Sequence, residues 1–477
     1  MTMRRAARAA WLGLASACAS PAFAQDVPDE KATTNEGVVH TPARPVVLPN
    51  RWQEDWGVLA NPAVPRKRFD GLKYMPLGDG GREYLTVGAT LRERLESNDA
   101  PAFGIGRPQD TYLLQRLQVH AGLRLGAPWL AFVQLEDDRA FAKKTWGPTD
   151  RDKADVRLAF LAWQGEVLDG TVRVRAGRQD FALDLQRFVS LRDGPNVRQS
   201  FDALWANFER GPWRFIGFVS HPVQYRDDRA FDDTSGSNQR FDMVRVERHV
   251  LGTNELSYYH AWFDNDDASF LDAHGNERRR VDDVRFAGAR GPVDWDLEAM
   301  VQGGRVGDSR IHAWAVGTRA GWTWTDTAWT PRLGLQVDTA SGDHRAGDGR
   351  LGTFNPLFPN GYYFSLAGYT GYSNLVHVKP SITLKPSPTV TLLGAVGLQW
   401  RRTTSDAIYV QPINALPGTA GTGSKWTGMY GQFRVDWKWR PGVTFSLEGD
   451  HFRAGRTIRD AGGSDGNYGS VQVLLAW

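Results

Sequence analysis

The connections between alternating segments of this 477-residue chain sort by parity, and few folds permit that. Period-two alternation begins near Tyr84 and gives strand candidates at 84–96, 111–125, 129–138, 154–163, 171–179, 201–209, 213–223, 240–249, 255–263, 281–290, 293–303, 309–322, 329–340, 374–385, 389–401, 426–439, 442–453 and 467–477. Every even-to-odd connection is brief, as in Gly126-Ala127-Pro128, Gly291-Pro292 and Pro386-Ser387-Pro388. Nearly every odd-to-even connection is long and polar, as in 97–110, 139–153, 180–200, 224–239, 264–280, 341–373, 402–425 and 454–466. A soluble sandwich also alternates, but its long and short connections have no reason to sort. Short turns at one rim and long loops at the other belong to outer-membrane barrels. The expected fold is therefore all-β: a closed antiparallel transmembrane β-barrel of about eighteen strands over 84–477, with short periplasmic turns and long extracellular loops.

The chain ends on such a strand. Gly469, Val471, Val473, Leu475 and Trp477 share one face, with Ser470 and Gln472 opposite, which suits a ribbon between lipid and a wet lumen. Nineteen Trp and 51 Gly without a long apolar stretch fit the same reading, because interfaces collect aromatics. Eighteen strands enclose more space than wall side chains fill, so water and solute or infolded loops must occupy it. Segments 180–200 and 341–373 are candidates for that constriction, or ordinary surface loops.

Arg4, Arg5 and Arg8, the apolar run from Ala9 to Cys18 and Ala22-Phe23-Ala24 read as a secretory signal peptide over 1–24. A lipoprotein reading through Cys18, the sole cysteine, has a poor upstream match in Ala15-Ser16-Ala17. Residues 25–83 are Pro-rich and read as a mostly irregular periplasmic lead-in. The whole chain has 57 Lys plus Arg against 54 Asp plus Glu, and the signal holds three of those arginines and no acid. Removing it leaves 54 of each, so no polybasic surface for nucleic acid is supported.

If the apolar parity meets lipid, Arg92, Arg94, Arg116, Arg124, Arg157, Arg173, Arg175, Arg285, Arg332 and Arg434 line the lumen. Rings of arginine are a pore device for anions, since each guanidinium stays charged and matches a carboxylate with two donors. Alternatively these residues brace the wall against Asp155, Asp294, Glu298, Asp338 and Asp436.

The stretch Gly352-Thr353-Phe354-Asn355-Pro356-Leu357-Phe358-Pro359-Asn360-Gly361-Tyr362-Tyr363-Phe364, with Ser373-Asn374-Leu375 after it, resembles the signature of the bacterial alginate export family. So do Gly177-Arg178-Gln179, the run from Leu191 to Asp202, Glu54-Asp55-Trp56, Asn61-Pro62 and the run from Leu72 to Leu77. The resemblance covers roughly residues 52–477. It implies an eighteen-stranded outer-membrane porin with an electropositive pore, loops acting as gates, alginate as solute and, in the best-known member, periplasmic secretion proteins as partners. It carries selectivity onto Arg178, Arg192, Arg198 and Arg332; Arg116, Arg173, Arg175 and Arg434 join them from the lumen parity.

Other motifs are thin. Asp264-Asn265-Asp266-Asp267 and Asp227-Asp228 with Asp232-Asp233 offer hard oxygens for calcium in outer loops, but without the spacing of a calcium loop, and no other cofactor is expected. Asp343-His344 near Ser341 is the nearest approach to a catalytic constellation. The readings are thus passive export of an anionic polysaccharide, uptake of small anionic nutrients or sugar acids, and, third, a barrel enzyme with a loop-borne site.

Overall fold

The computed structural model describes residues 45–78, 81–250 and 254–477. The expected signal peptide and the lead-in up to residue 44 lie outside the described residues. Eighteen long strands form one sheet: β1 (Tyr84–Asn98), β2 (Asp110–Leu125), β3 (Trp129–Phe141), β4 (Asp152–Val167), β5 (Gly170–Gln179), β6 (Phe201–Arg210), β7 (Trp213–Gln224), β8 (Gln239–Val250), β9 (Asn254–Ser269), β10 (His274–Arg290), β11 (Val293–Val306), β12 (Ser309–Thr323), β13 (Arg332–Ala340), β14 (Leu375–Ser387), β15 (Val390–Trp400), β16 (Trp426–Arg440), β17 (Val443–Ala454) and β18 (Gly466–Ala476). Each pairs antiparallel with the one before it. β18 returns to β1, with Thr90 opposite Ala476 and Asn98 opposite Tyr468, which closes the cylinder. Closure leaves no row of unpaired backbone groups, as hydrocarbon demands.

Side chains sort as period two requires. On β11, Leu297 and Val301 are exposed while Asp296, Glu298 and Met300 are buried; on β16, Phe433 and Trp437 are exposed while Gln432 is buried. Outward aromatics cluster beside the short turns, with Trp129 and Trp163 6.5 Å apart and Trp437 packed between Trp439 and Phe445. At the other rim Trp400 and Trp426 meet edge to face at 4.9 Å. These are the two interfacial girdles of a membrane barrel.

The loop pattern holds with one correction. The expected outer loop 264–280 is mostly strand, because β9 runs to Ser269 through a bulge between Asn265 and Ala268 and β10 starts at His274. Alternation was invisible there because both faces are polar: Glu277 and Arg279 point inward and are buried, Arg278 and Arg280 outward. β9–β12 close with tight turns at 270–273 and 307–308.

Segments 180–200 and 341–374 both fold inward. They meet at a parallel bridge between Val189 and Phe358, where the Ser190 N–H donates to the Phe358 carbonyl at 3.0 Å and the Phe358 N–H to the Phe188 carbonyl at 2.9 Å. Phe181 stacks on wall residue Phe218 at 4.3 Å and Phe188 on Tyr372 at 5.2 Å. An apolar core thus forms inside the barrel, between the segments and one sector of wall. The lead-in fills the opposite mouth: Trp52 meets Phe160 edge to face at 5.8 Å, and Arg51 donates to the carbonyls of Ala89 and Trp477.

Candidate functional site

Basic side chains rising from the wall grip the first inward segment. Arg116 on β2 donates from Nη1 to Asp193 Oδ1 at 2.7 Å, from Nε to the Asn196 carbonyl at 2.7 Å and from Nη2 to the Pro195 carbonyl at 2.7 Å. Arg92 on β1 adds bonds to the Asp193 carbonyl at 2.8 Å and to Asn196 Oδ1 at 3.0 Å. Arg157 on β4 donates to the Gln199 carbonyl and the Ser200 hydroxyl. Burial alone would raise the Asp193 carboxyl, but Arg116, Arg198 and Arg92 outweigh it and hold the group well below the usual carboxylate range.

Farther round the wall the grip runs in both directions. Arg187, on the segment and fully buried, donates to Asp296 and Glu298 of β11, each at 2.5 Å, and to the Tyr363 hydroxyl. Asp184 of the segment receives both Nη atoms of Arg245 at 2.6 and 2.7 Å, and Arg285 at 2.8 Å. Burial again raises this carboxyl, and Arg245 and Arg285 pull it well below the ordinary range. Gly317 on β12 makes room: a Cβ there would lie 2.6 Å from Arg187 Nε and 2.9 Å from the Tyr372 hydroxyl.

The residues expected to set selectivity fall into distinct settings. Arg116 and Arg198 gather on Asp193, with Arg198 Nε 3.3 Å from its Oδ1. Arg332 clamps Asp294, and Arg434 holds Asp436 with two donors and Glu448 at 2.6 Å. Arg173 bonds Glu209 and Gln164. Arg178 clamps Asp202, away from the segment's carbonyls. Arg175 lies between the Trp52 and Trp205 rings, 4.5 and 4.3 Å from their centroids. Arg192 stands on the segment itself, donates to Gln199 Oε1 and the Leu357 carbonyl, and lies over the Phe358 ring. Pairing with wall acids, held open as the alternative, describes Arg173, Arg178, Arg332 and Arg434.

Some inward cations lack an acid partner among the described residues: Arg92 bonds carbonyls and the Asn196 amide oxygen, and two more stand apart from carboxylates altogether. Arg192 and Arg319 have no carboxylate within ion-pair distance, although Arg319 is on β12 one inward position from Gly317 and Gly321. Burial pushes the Arg192 guanidinium down without removing its charge. Sequence reasoning passed over Arg187 and Arg319. Arg319 had a signal, since it shares parity with Ala313, Ala315 and Gly317; Arg187 had none, being in an irregular segment.

The other motifs resolve differently. Asp232 and Asp233 meet Asp155 with ligand oxygens within 4.8 Å of one another. Asp264 and Asp266 instead lie beside Arg278, on strand rather than loop. Ser341 accepts the Trp314 N–H and Asp343 accepts the amides of Arg345 and Gly352, while His344 is exposed and bonded to neither.

Residues 83–472 match the family model described as alginate export. The chain belongs to the alginate export family. No curated protein sequence matches it. Its fold is similar to that of a BenF-like porin from Pseudomonas fluorescens Pf-5, with a TM-score of 0.56 at 11% identity over 82% of this chain and 99% of that one. It is also similar to two Pseudomonas aeruginosa proteins. OccK9 (OpdG) gives 0.55 at 11% identity over 82% and 98%, and OccK2 (OpdF), solved in complex with glucuronate, gives 0.54 at 11% over 82% and 98%. This alginate export family member is an outer-membrane β-barrel channel of the Gram-negative type, with the porin fold.

Proposed function

We propose that this channel passes an acidic polysaccharide, alginate or a related polyuronate, out of the cell. The observation that carries the reading is the pair Arg192 and Arg319: lumen guanidiniums without acid partners, beside an inward segment held by ion pairs that can be exchanged for those of a solute. A uronate carboxylate matches a guanidinium fork, and weak binding at successive sites keeps a polymer moving. Family membership supports the polymer as solute. Uptake of small sugar acids is the second reading. The porin of like fold holding glucuronate favours it, as do the two segments that meet inside the barrel, which obstruct a polymer more than a single uronate.

Planar-bilayer recording tests both. Arg192→Glu with Arg319→Glu is expected to turn anion preference toward cations and to abolish block by oligomannuronate. Unchanged preference would remove these arginines from the conduction path. Block that strengthens steadily with oligomer length supports the polymer, and block that saturates at one or two sugars supports the uptake reading.

A further inference from the structure

The outer surface of β10–β12 changes character at one level. From the short-turn rim upward, the outward rows read Phe286, Leu297 and Thr318; Val284, Ala299 and Val316; Asp282, Val301 and Trp314; Arg280, Gly303 and His312. The next row is Arg278 opposite Arg305 and Arg305 opposite Arg310, and Arg310 pairs with Arg350 in a short parallel bridge. All four are exposed, and their chain neighbours Glu277, Val306, Ile311 and Leu351 are buried, so the four guanidiniums share the outward face.

Strands lie about 4.8 Å apart, and like charges directly opposite one another destabilise a sheet. Among the described residues, acids answer this row at one end alone: Arg278 lies 3.6 Å from Asp264 and 3.5 Å from Asp266, whereas Arg305 donates to the backbone carbonyl of Asp308. Among the described residues, Arg310 and Arg350 have no carboxylate at ion-pair distance. The level of the row indicates what lies beside it. From Trp322, exposed beside the short-turn rim and 6.3 Å from Trp324, β12 climbs to Arg310 by roughly 30 Å along the barrel axis, at about 3.3 Å per residue and a tilt near 40°, against an apolar band of about 25 Å. The row therefore stands just beyond the hydrocarbon of the external leaflet, at headgroup depth.

We propose that Arg278, Arg305, Arg310 and Arg350 form a docking site for the phosphate groups of the phosphorylated glycolipid in the external leaflet. A guanidinium row at this spacing offers paired donors to phosphate oxygens, and the phosphates supply the negative charge that the row lacks. The site faces away from the lumen and is independent of the transported solute.

The test uses the full barrel in detergent with bisphosphorylated lipid A, counted by native mass spectrometry and titrated by fluorescence. Arg305→Gln with Arg310→Gln is expected to weaken binding at least about tenfold, as the loss of two charge-assisted contacts implies, and Arg290→Gln, outward at the opposite rim, to leave it unchanged. Unaltered conductance and heat-modified gel migration establish that the double variant is folded. Retention of lipid A within twofold in a folded double variant overturns the site. So does displacement of bound lipid A by soluble oligomannuronate, because the row would then be a capture surface for polymer.

Discussion

Arg116 Nη1 and Asp193 Oδ1 stand 2.7 Å apart inside the barrel, joining wall to inward segment across 77 residues of chain. The same guanidinium also holds three segment carbonyls, those of Asp193, Pro195 and Asn196, so one side chain fixes both charge and backbone of the segment. Arg116→Ala is expected to release segment 180–200. Breaking a buried pair from one side costs about 3–5 kcal/mol, and Asp193, 20% exposed, puts this one at the lower end. Larger single-channel conductance and faster amide exchange over 181–199 are the readouts, and Arg116→Lys should recover only part of the closed state because it lacks the fork.

Acid should open the same segment. Asp193 and Asp184 are both held below their ordinary values by arginines. A depressed carboxyl contributes stability that is complete above its unfolded pKa, near 3.9, and is lost as pH falls toward the folded value. Conductance should therefore be flat from pH 7 to about pH 5 and rise below about pH 4. Asp193→Asn should remove part of that acid response and raise conductance at neutral pH.

How much of this was legible in the chain depends on range. Alternation and loop parity are local signals, so Leu297 outside and Arg434 inside could be assigned from neighbours alone, and the barrel followed. The charge ladders could not, because parity gives the face of Arg116 but not the distant Asp193 that meets it. The inward course of 180–200 was open for the same reason: its aromatic contacts, Phe181 on Phe218 and Phe188 on Tyr372, join residues far apart in sequence. Polar residues on both faces hid the upper ends of β9 and β10, where the wall leaves the hydrocarbon.

Arg187 anchors the opposite end of the segment, and its loss should be felt as instability more than as opening. Arg187→Met leaves Glu298 buried with no cation in contact, while Asp296 keeps Arg285 at 2.6 Å. A cost of about 3–5 kcal/mol is expected in urea-induced unfolding of the reconstituted barrel. Adding Glu298→Gln should recover most of it, since the orphaned charge rather than the missing contact dominates. No recovery in the double variant would shift the cause to lost packing against Tyr363.

At the periplasmic mouth the lead-in covers an arginine that could serve as an entry charge. Trp52 lies over Arg175 and against Phe160, beside Arg51, Glu54 and His120. Trp52→Ala removes one of the two rings flanking Arg175 and leaves the Trp205 ring in place. Losing a partly desolvated cation–π contact costs roughly 1–2 kcal/mol, small against the stability of an eighteen-strand barrel, so the fold should survive. Anion over cation permeability from the periplasmic side should rise, because one face of the guanidinium loses its indole cover. Trp52→Ala with Arg175→Leu should return permeability to the parent value; if the single variant changes nothing, the lead-in does not control entry.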